Sequence, residues 1–465
     1  RIVATEVPVA AEEVRGVAGE GPVEVREAPV VAGAVPVAVR AVPAGAGKYM
    51  NKVSTKTEYR KALVLVAVMW IIVLLTLIVA VVAQSGMIDT RITHVAAERM
   101  RCKWACRAGL EMAVAVLNDD ATEDETAGAC DSFYDTWSST VTDFDSVPLD
   151  DACTFTVEVI DEAGKLNINT ATKNQLYYIP DMTEDIADSI IDWRDGDDDI
   201  RQGGAESGYY LNLPFGYKTR NAGFKTIREL LLVKGVTRGL LYGDATLDAN
   251  VSEHNAGWIN YLTCYSYDTN KDAEGGDRVN INSASESQLR NQLGLSRGHA
   301  AWIVANRSFD SIGELISANS PAEPAQGGNS DQAQMLDLQT YYSIVDKITV
   351  TDDDVAPGRV NINTASEYVL RALFEGDEQA ACDVVAYRES LGAGITSLAE
   401  LQGLESVDAE LIRKVIGSLT TRSNVYTVHS IAKTNAMGVT RELETVVDRS
   451  KSPTEILYFR AGAIH

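Results

Sequence analysis

GKLNINTATKNQLYYIP (Gly164–Pro180), DRVNINSASESQLRNQLGL (Asp277–Leu295) and GRVNINTASEYVLRALF (Gly358–Phe374) are three copies of one module. Each opens on a short alternation, Leu166–Ile168, Val279–Ile281 or Val360–Ile362, which sets its apolar side chains on one face of a strand. Each then reaches Asn-[ST]-Ala-[ST], where Thr170, Ser283 or Thr364 is placed to serve as the N-cap of a following helix. Glu286 and Glu367 stand three residues beyond that hydroxyl in the second and third copies, as in a capping box, whereas Lys173 leaves the box incomplete in the first. A second amphipathic helix follows in every copy: IADSIIDWRD from Ile186, AAWIVANRS from Ala300 and ACDVVAYRES from Ala381. The third segment, FKTIRELLLVKGV from Phe224, FDSIGELIS from Phe309 and ITSLAELQGL from Ile395, repeats [FI]-x-[ST]-[IL]-x-E-L. There Glu229, Glu314 and Glu400 fall near the start of a helix, where the dipole favours a carboxylate.

With glycine at Lys234-Gly235-Val236 and Gln402-Gly403-Leu404, these units resemble helix-hairpin-helix or SAM-like modules. Nucleic-acid-binding members of that broad class offer backbone N–H groups of the hairpin to phosphate, so charge separates two functions. The 465 residues carry a net charge of −25, and residues 1–61 hold nine Lys/Arg against seven Asp/Glu, which leaves −27 for the remainder. Beside the hairpins stand Lys234 and Arg238 in the first copy, Arg290 and Arg297 in the second, and Glu405 and Asp408 in the third. Such a surface repels a phosphate backbone, and nucleic acid is not an expected partner.

Upstream of the repeats, ALVLVAVMWIIVLLTLIVAVVA spans 22 residues from Ala62 through Trp70 to Ala83 without a charge, enough to cross a bilayer as a helix. Lys48, Lys52, Lys56, Arg60 and Lys61 precede it, so the N-terminal side is expected in the cytoplasm and the C-terminal bulk outside it. No proline follows until Pro148, and Ile88, Ile92, Val95, Cys102, Cys106, Leu110, Ala113 and Leu117 recur at helical spacing. The helix is therefore expected to continue as a stalk. Residues 1–47, rich in Ala, Val, Pro and Gly, show neither helical nor strand period and read as disordered.

The side chains that could do chemistry are few. Asp195, Asp197, Asp198 and Asp199, with Glu206 beyond, form the densest acidic cluster; Asp195, Asp197, Asp199 and Glu206 are the candidate oxygen ligands for a hard cation such as calcium. A solvated loop is the alternative reading, and the spacing is not that of an EF-hand. Asp352, Asp353 and Asp354 read as a loop. The six cysteines are too few for a disulfide framework: Cys102 and Cys106 share a helix face without bridging each other, whereas Cys130 and Cys153 could pair in an oxidising compartment. The five histidines are scattered, and there is no G-x-S-x-G, no phosphate loop and no neighbouring Cys–His pair, so no enzyme is expected.

Taken together, the charge-free helix, the stalk, the N-I-N-[ST]-A repeats and a C-terminal hairpin (NVYTVHSIAKT, a turn at Asn435–Gly438, RELETVVDRS and the tail ILYFR) resemble general secretion pathway protein K of type II secretion systems. DWRDGDDD (Asp192–Asp199), GAESGYY (Gly204–Tyr210) and FKTIRELLLVKGV follow LNINTA in the order shown by that family. The resemblance implies an α+β fold: an N-terminal transmembrane helix continuing into a pilin-like stalk, a small antiparallel sheet and large inserted helical repeats. The expected map is leader 1–47, basic flank 48–61, transmembrane helix 62–83, stalk 84–118 and first part of the sheet 119–165. Modules at 166–260, 261–345 and 346–420 follow, then the hairpin and tail at 421–465. It implies, too, a minor pseudopilin in the inner membrane, single-pass, with its bulk in the periplasm, at the tip of a pseudopilus, and calcium bound near the acidic cluster. The implied partners are the I- and J-type minor pseudopilins, the inner-membrane secretion platform, the lipid bilayer, and a secreted substrate or the secretin. The rival function is a membrane-anchored helix-hairpin-helix DNA receptor of the competence type.

Overall fold

The computed structural model describes residues 55–127, 130–139, 141–243, 256–272, 275–316 and 333–462; the leader expected over 1–47 and the start of the basic flank lie outside them. Two compact units divide the chain between Val81 and Val82. What is described of the first belongs to α1, Thr55–Ala127, a helix of 73 residues that enters the second unit. Its side chains from Leu63 to Val81, Trp70 among them, are all exposed. An 18-residue window within it has a mean hydropathy of 3.2, and none of that window is buried within the protein. An uncharged apolar helix without protein cover is at home in lipid, where its backbone groups are satisfied internally. It fits a single-pass anchor.

In the second unit α1 stays uncovered as far as His94 and then docks. Cys102, Ala105, Cys106, Leu110, Ala113 and Leu117 bury one stripe against Phe155, Val157, Val159, Tyr426, Val428 and Leu443. Ile88 and Ile92, expected on the same stripe, remain 51% and 62% exposed, so the docked part is the shorter C-terminal half. Gly109 permits the close approach: a Cβ there would stand 2.7 Å from Val157 Cγ2 and collide with Ser430 Oγ. Beyond α1 come β1 (Val147–Asp150) and β2 (Cys153–Asp161), whose alternating burial puts Cys153, Phe155, Val157 and Val159 under the helix.

The three repeats follow. The first runs from β3 (Leu166–Asn167) through α2 (Lys173–Tyr177), α3 (Glu184–Arg194), α4 (Ser207–Leu211), a 3-10 turn and α5 (Arg238–Tyr242) to β4 (Leu262–Thr263), which pairs parallel with β3. After β5 (Tyr267–Asp268), the second runs from β6 (Val279–Asn280) through α6 (Glu286–Leu293), α7 (Arg297–Ala305), a 3-10 turn and α8 (Leu338–Ile344) to β7 (Ile348–Thr349), again parallel. Next, β8 (Ala356–Pro357) pairs back with β5; then β9 (Val360–Asn361), α9 (Glu367–Leu373), α10 (Glu378–Leu391), a 3-10 turn, α11 (Ala409–Val415) and β10 (Leu419–Thr420) complete the third. The closing strands β4 and β7 lie just past the expected boundaries at 260 and 345, because each returns to its own module's opening strand. A single apolar core runs through all three modules, from Leu166 to Leu419.

One network explains why the motif recurs. The side-chain oxygens of Asn167, Asn280 and Asn361 accept the N–H of Asn169, Asn282 and Asn363 at 2.9, 2.8 and 3.0 Å. Each second asparagine then grips the third segment by both backbone groups, donating to the carbonyl and accepting the N–H of Phe224, Phe309 or Ile395. An arginine at the end of the second helix, or just beyond it, closes the figure. Arg194 donates to the carbonyls of Ile168 and Ala171, Arg307 to those of Ile281 and Ala284, and Arg388 to those of Ile362 and Ala365.

The same network moves the helix caps. The N–H groups of Thr170 and Ala171, and their counterparts in the other copies, return to the carbonyl of the first asparagine, so N-I-N-[ST] closes a turn of its own. Thr170, Ser283 and Thr364 are thus not caps: their hydroxyls donate to the Asn167 carbonyl, Asp352 and Asp161. Thr172, Ser285 and Ser366, two residues on, take that place. The capping box is complete in the first two copies, through Gln175 and Gln288, and missing in the third, where Val369 stands at the required position.

The chain re-enters the sheet through β11 (Val425–Thr434), followed by β12 (Thr440–Asp448) and β13 (Glu455–Gly462), the last lying where a tail was expected. The order is β1-β2-β11-β12-β13, antiparallel throughout, with Val157 opposite Ser430 and Ser430 opposite Leu443. All three modules are therefore inserted between two neighbouring strands of one sheet.

Candidate cation site

Helix α3 stops at Arg194 because the chain turns extended at Asp195, whose N–H still reaches back to the Ile191 carbonyl. The following loop, 195–206, folds back over α3. Gly203 and Gly204 make this return possible, since a Cβ on either would run into Asp185 or Asp192. Asp192, fully buried, is paired with Arg201 at 2.7 Å, and Arg201 also holds Asp195 Oδ2 at 2.5 Å. Lys234 Nζ pins the loop by donating to the carbonyls of Gly203 and Gly204 at 2.9 and 3.1 Å.

Asp195, Asp197 and Glu206 each present a carboxylate oxygen within 4.8 Å of the other two. Glu206 is only 2% exposed, yet neither of its oxygens has a hydrogen-bond partner; Asp195 Oδ1 is in the same condition. Burial, then the charges of Asp192, Asp195 and Asp198, push the Glu206 carboxyl up to about 7. A buried acid facing like charges is costly to ionise unless a cation joins it. Carboxylate oxygens of three residues thus come together, those of Glu206 and Asp195 Oδ1 without a partner, and oxygen donors of this kind suit a hard divalent ion.

Of the four ligands expected from the sequence, three converge and one does not. Asp199 is exposed, and its N–H donates to Asp197 Oδ1, shaping the loop around the site. Asn221 was not legible in the sequence. Held at φ 49°, it donates through Nδ2 to the Asp197 carbonyl at 2.8 Å while its own Oδ1 is buried without a partner. Nothing in the spacing marks a residue 24 positions away as its neighbour.

A second acidic group lies elsewhere. Asp120, Asp131 and Asp135 also bring oxygens within 4.8 Å of one another. Arg449, however, bonds both Asp120 and Asp131, and Tyr426 and the Ser423 N–H satisfy Asp131 further. Here the charge is met from within. In the run Asp352–Asp354, Asp352 accepts the Ser283 hydroxyl and Asp353 that of Thr351. Cys130 and Cys153, expected as a possible pair, are not bridged, and Cys130 donates instead to the Ala393 carbonyl.

Family models described as type II secretion system protein K match residues 164–242 and residues 360–417. The type II secretion system protein K of Pseudomonas aeruginosa is 25% identical over 237 residues, which cover 44% of this chain and 70% of that protein. An endonuclease/exonuclease/phosphatase family domain-containing protein 1 of Xenopus laevis is 30% identical over 179 residues, 36% of this chain and only 27% of that protein. Among solved structures, a chain in the crystal structure of the GspK-GspI-GspJ complex from the enterotoxigenic Escherichia coli type 2 secretion system aligns with a TM-score of 0.48 at 13% identity. That alignment covers 80% of this chain and 99% of the other.

Proposed function

We propose that this chain, which belongs to the family of type II secretion system protein K, is a minor pseudopilin held in the inner membrane by α1, with its bulk in the periplasm and its N-terminus in the cytoplasm. The observation that carries the reading is the placement of residues 162–424 between two adjacent strands of the sheet on which α1 lies. An insertion of that bulk on a slender helix-and-sheet body leaves no room for neighbours on every side, which favours the tip of a filament. Helix α1, exposed from Leu63 to His94, is the surface for the I- and J-type minor pseudopilins and for lipid. The secretion platform, the secretin and a secreted substrate are further partners of this reading. No catalytic step is assigned. The competence-type DNA receptor is disfavoured, because Lys234, the hairpin lysine of the first copy, is committed to the Gly203 and Gly204 carbonyls.

The cation site belongs to the same reading, with calcium bound by Asp195, Asp197 and Glu206; the unpartnered Glu206 oxygens support it. Two measurements test the proposal. Replacing the gene's product with a chain lacking residues 162–424 should stop export of reporter proteins while the anchor remains in the membrane, and normal export would sink the tip role. Calorimetric titration of the detergent-solubilised full chain with calcium should show binding that Glu206→Gln weakens by about tenfold or more, since affinity follows ligand charge. Equal affinity in the two proteins would remove the site.

A further inference from the structure

Cys102 is the first fully buried apolar residue of α1 after its uncovered stretch, and Cys153 is the first residue of β2; both are 0% exposed. Two independent sets of contacts bring them together. Cys102 Sγ donates to the Val439 carbonyl at 3.2 Å, and the same carbonyl accepts the Thr434 N–H at 3.0 Å. Thr434 is the residue directly opposite Cys153 in the β2–β11 register, where partners stand about 5 Å apart. Seven residues further along α1, Gly109 lies against Val157, four residues further along β2, so helix and strand run side by side from the cysteines onward. Each thiol is among the groups that shift the other's titration, as neighbours do. Cys106, one turn on, donates to the Arg441 carbonyl at 3.4 Å and so faces β12.

We infer that Cys102 and Cys153 close to a disulfide when the chain folds in an oxidising compartment, clipping α1 to the sheet at the point where the helix leaves the protein body. The inference rests on the periplasmic placement proposed above. In the reaction a thiolate of one cysteine attacks a disulfide oxidant of the thiol–disulfide oxidoreductase or glutathione class. The second cysteine then displaces the resulting mixed disulfide; one S–S bond forms in the chain, the oxidant's S–S bond is reduced to two thiols, and two protons pass from the cysteines to the oxidant's sulfurs. Burial pushes the Cys153 thiol up to about 11 and that of Cys102 upward as well, so the docked thiols are protonated and shielded. The bond therefore forms as the helix docks and not afterwards. Once closed, it ties α1 to a strand 51 residues later in the chain, next to the strand that ends the insertion.

The test has two arms. The full chain, denatured and refolded in detergent with a glutathione redox buffer, is alkylated, digested and analysed by mass spectrometry. A peptide linking Cys102 to Cys153 is expected, with four of the six thiols alkylated. Cys102→Ala and Cys153→Ala should each lose the link and show five alkylated thiols, whereas Cys106→Ala should keep it. Six free thiols in the refolded chain, or a link through Cys106 or Cys130 instead, overturn the inference. The second arm traps thiols at the moment of cell lysis. A linked chain there supports the inference and the compartment together; a link after refolding combined with free thiols in cells supports the pair of residues and overturns the periplasmic placement.

Discussion

Glu206 shows how one side chain can report on the whole site. In the folded chain its carboxyl stays protonated up to about 7, whereas in the unfolded chain it ionises near its ordinary 4.5. As pH rises between these values the unfolded chain gives up a proton that the folded chain keeps. Folding stability is therefore full below about pH 4 and falls toward pH 7, by on the order of 2–3 kcal/mol in the absence of a divalent ion. Urea unfolding of the full chain in detergent with a chelator should show this decline. Calcium should remove it, because a bound cation stabilises the ionised form, and Glu206→Gln should flatten it without calcium. A decline that persists in the glutamine variant would mean that other acids cause it. Asp195, Asp197 and Glu206 were legible as a cluster because three acids on one glycine-containing loop stay close however the loop folds. Asp199 falls outside the cluster because composition reveals density and not direction: its backbone N–H, not its carboxylate, meets Asp197. Asn221 stayed hidden because tertiary folding alone brings it to the loop.

Among the elements, the repeats were legible and their exact starts were not. The strand-turn-helix order of each copy follows from alternation and helical spacing, but the first hydroxyl after N-I-N has two competing uses. The asparagine side chain decides between them by closing a turn, which moves the cap two residues on. In consequence Ser285→Ala should destabilise the second module by about 1 kcal/mol, the usual worth of an N-cap, while Ser283→Ala should cost clearly less. Denaturant midpoints for the two variants check this; equal losses would restore the earlier cap. The closing strands Leu262–Thr263, Ile348–Thr349 and Leu419–Thr420 left only a recurring [LI]-Thr as their trace, too short for any periodicity, and their partners lie 59 to 96 residues away. The docking of α1 on the sheet turns on Gly109, which no hydrophobic pattern marks. Gly109→Val places methyl groups where Val157 and Ser430 already stand, and should cost about 1–3 kcal/mol or lift the helix off the sheet. Hydrogen exchange across residues 102–117 distinguishes these outcomes from a harmless substitution, which would leave protection unchanged.

At the scale of the whole molecule, charge and topology act together. The anchor, the sheet and the inserted modules could be read in order along the chain, since hydrophobic runs and repeats survive without knowledge of contacts. That β2 and β11 are neighbours, enclosing the modules, required the register. The hairpin glycines of the repeat sequence are what raised nucleic acid as a partner, so that question must be answered by the surface and not by the motif. A net charge of −25 opposes approach of a polyanion at low salt, and several of the basic side chains beside the hairpins are engaged within the protein. Lys234 bonds two carbonyls of the acidic loop, Arg238 lies over the Tyr242 ring, and Arg297 faces Glu286 at 3.9 Å. A protein that neutralised several phosphates would show affinity falling steeply with salt, with a slope of about −0.9 per contact on duplex DNA. The full chain in detergent should accordingly leave a labelled duplex unshifted at about 0.15 M salt and show little gain when the salt is lowered. Retention at that salt with a slope of several units, lost on changing Lys234, Arg238, Arg290 and Arg297 together to Ala, would instead make the modules a nucleic-acid surface and overturn the secretion role.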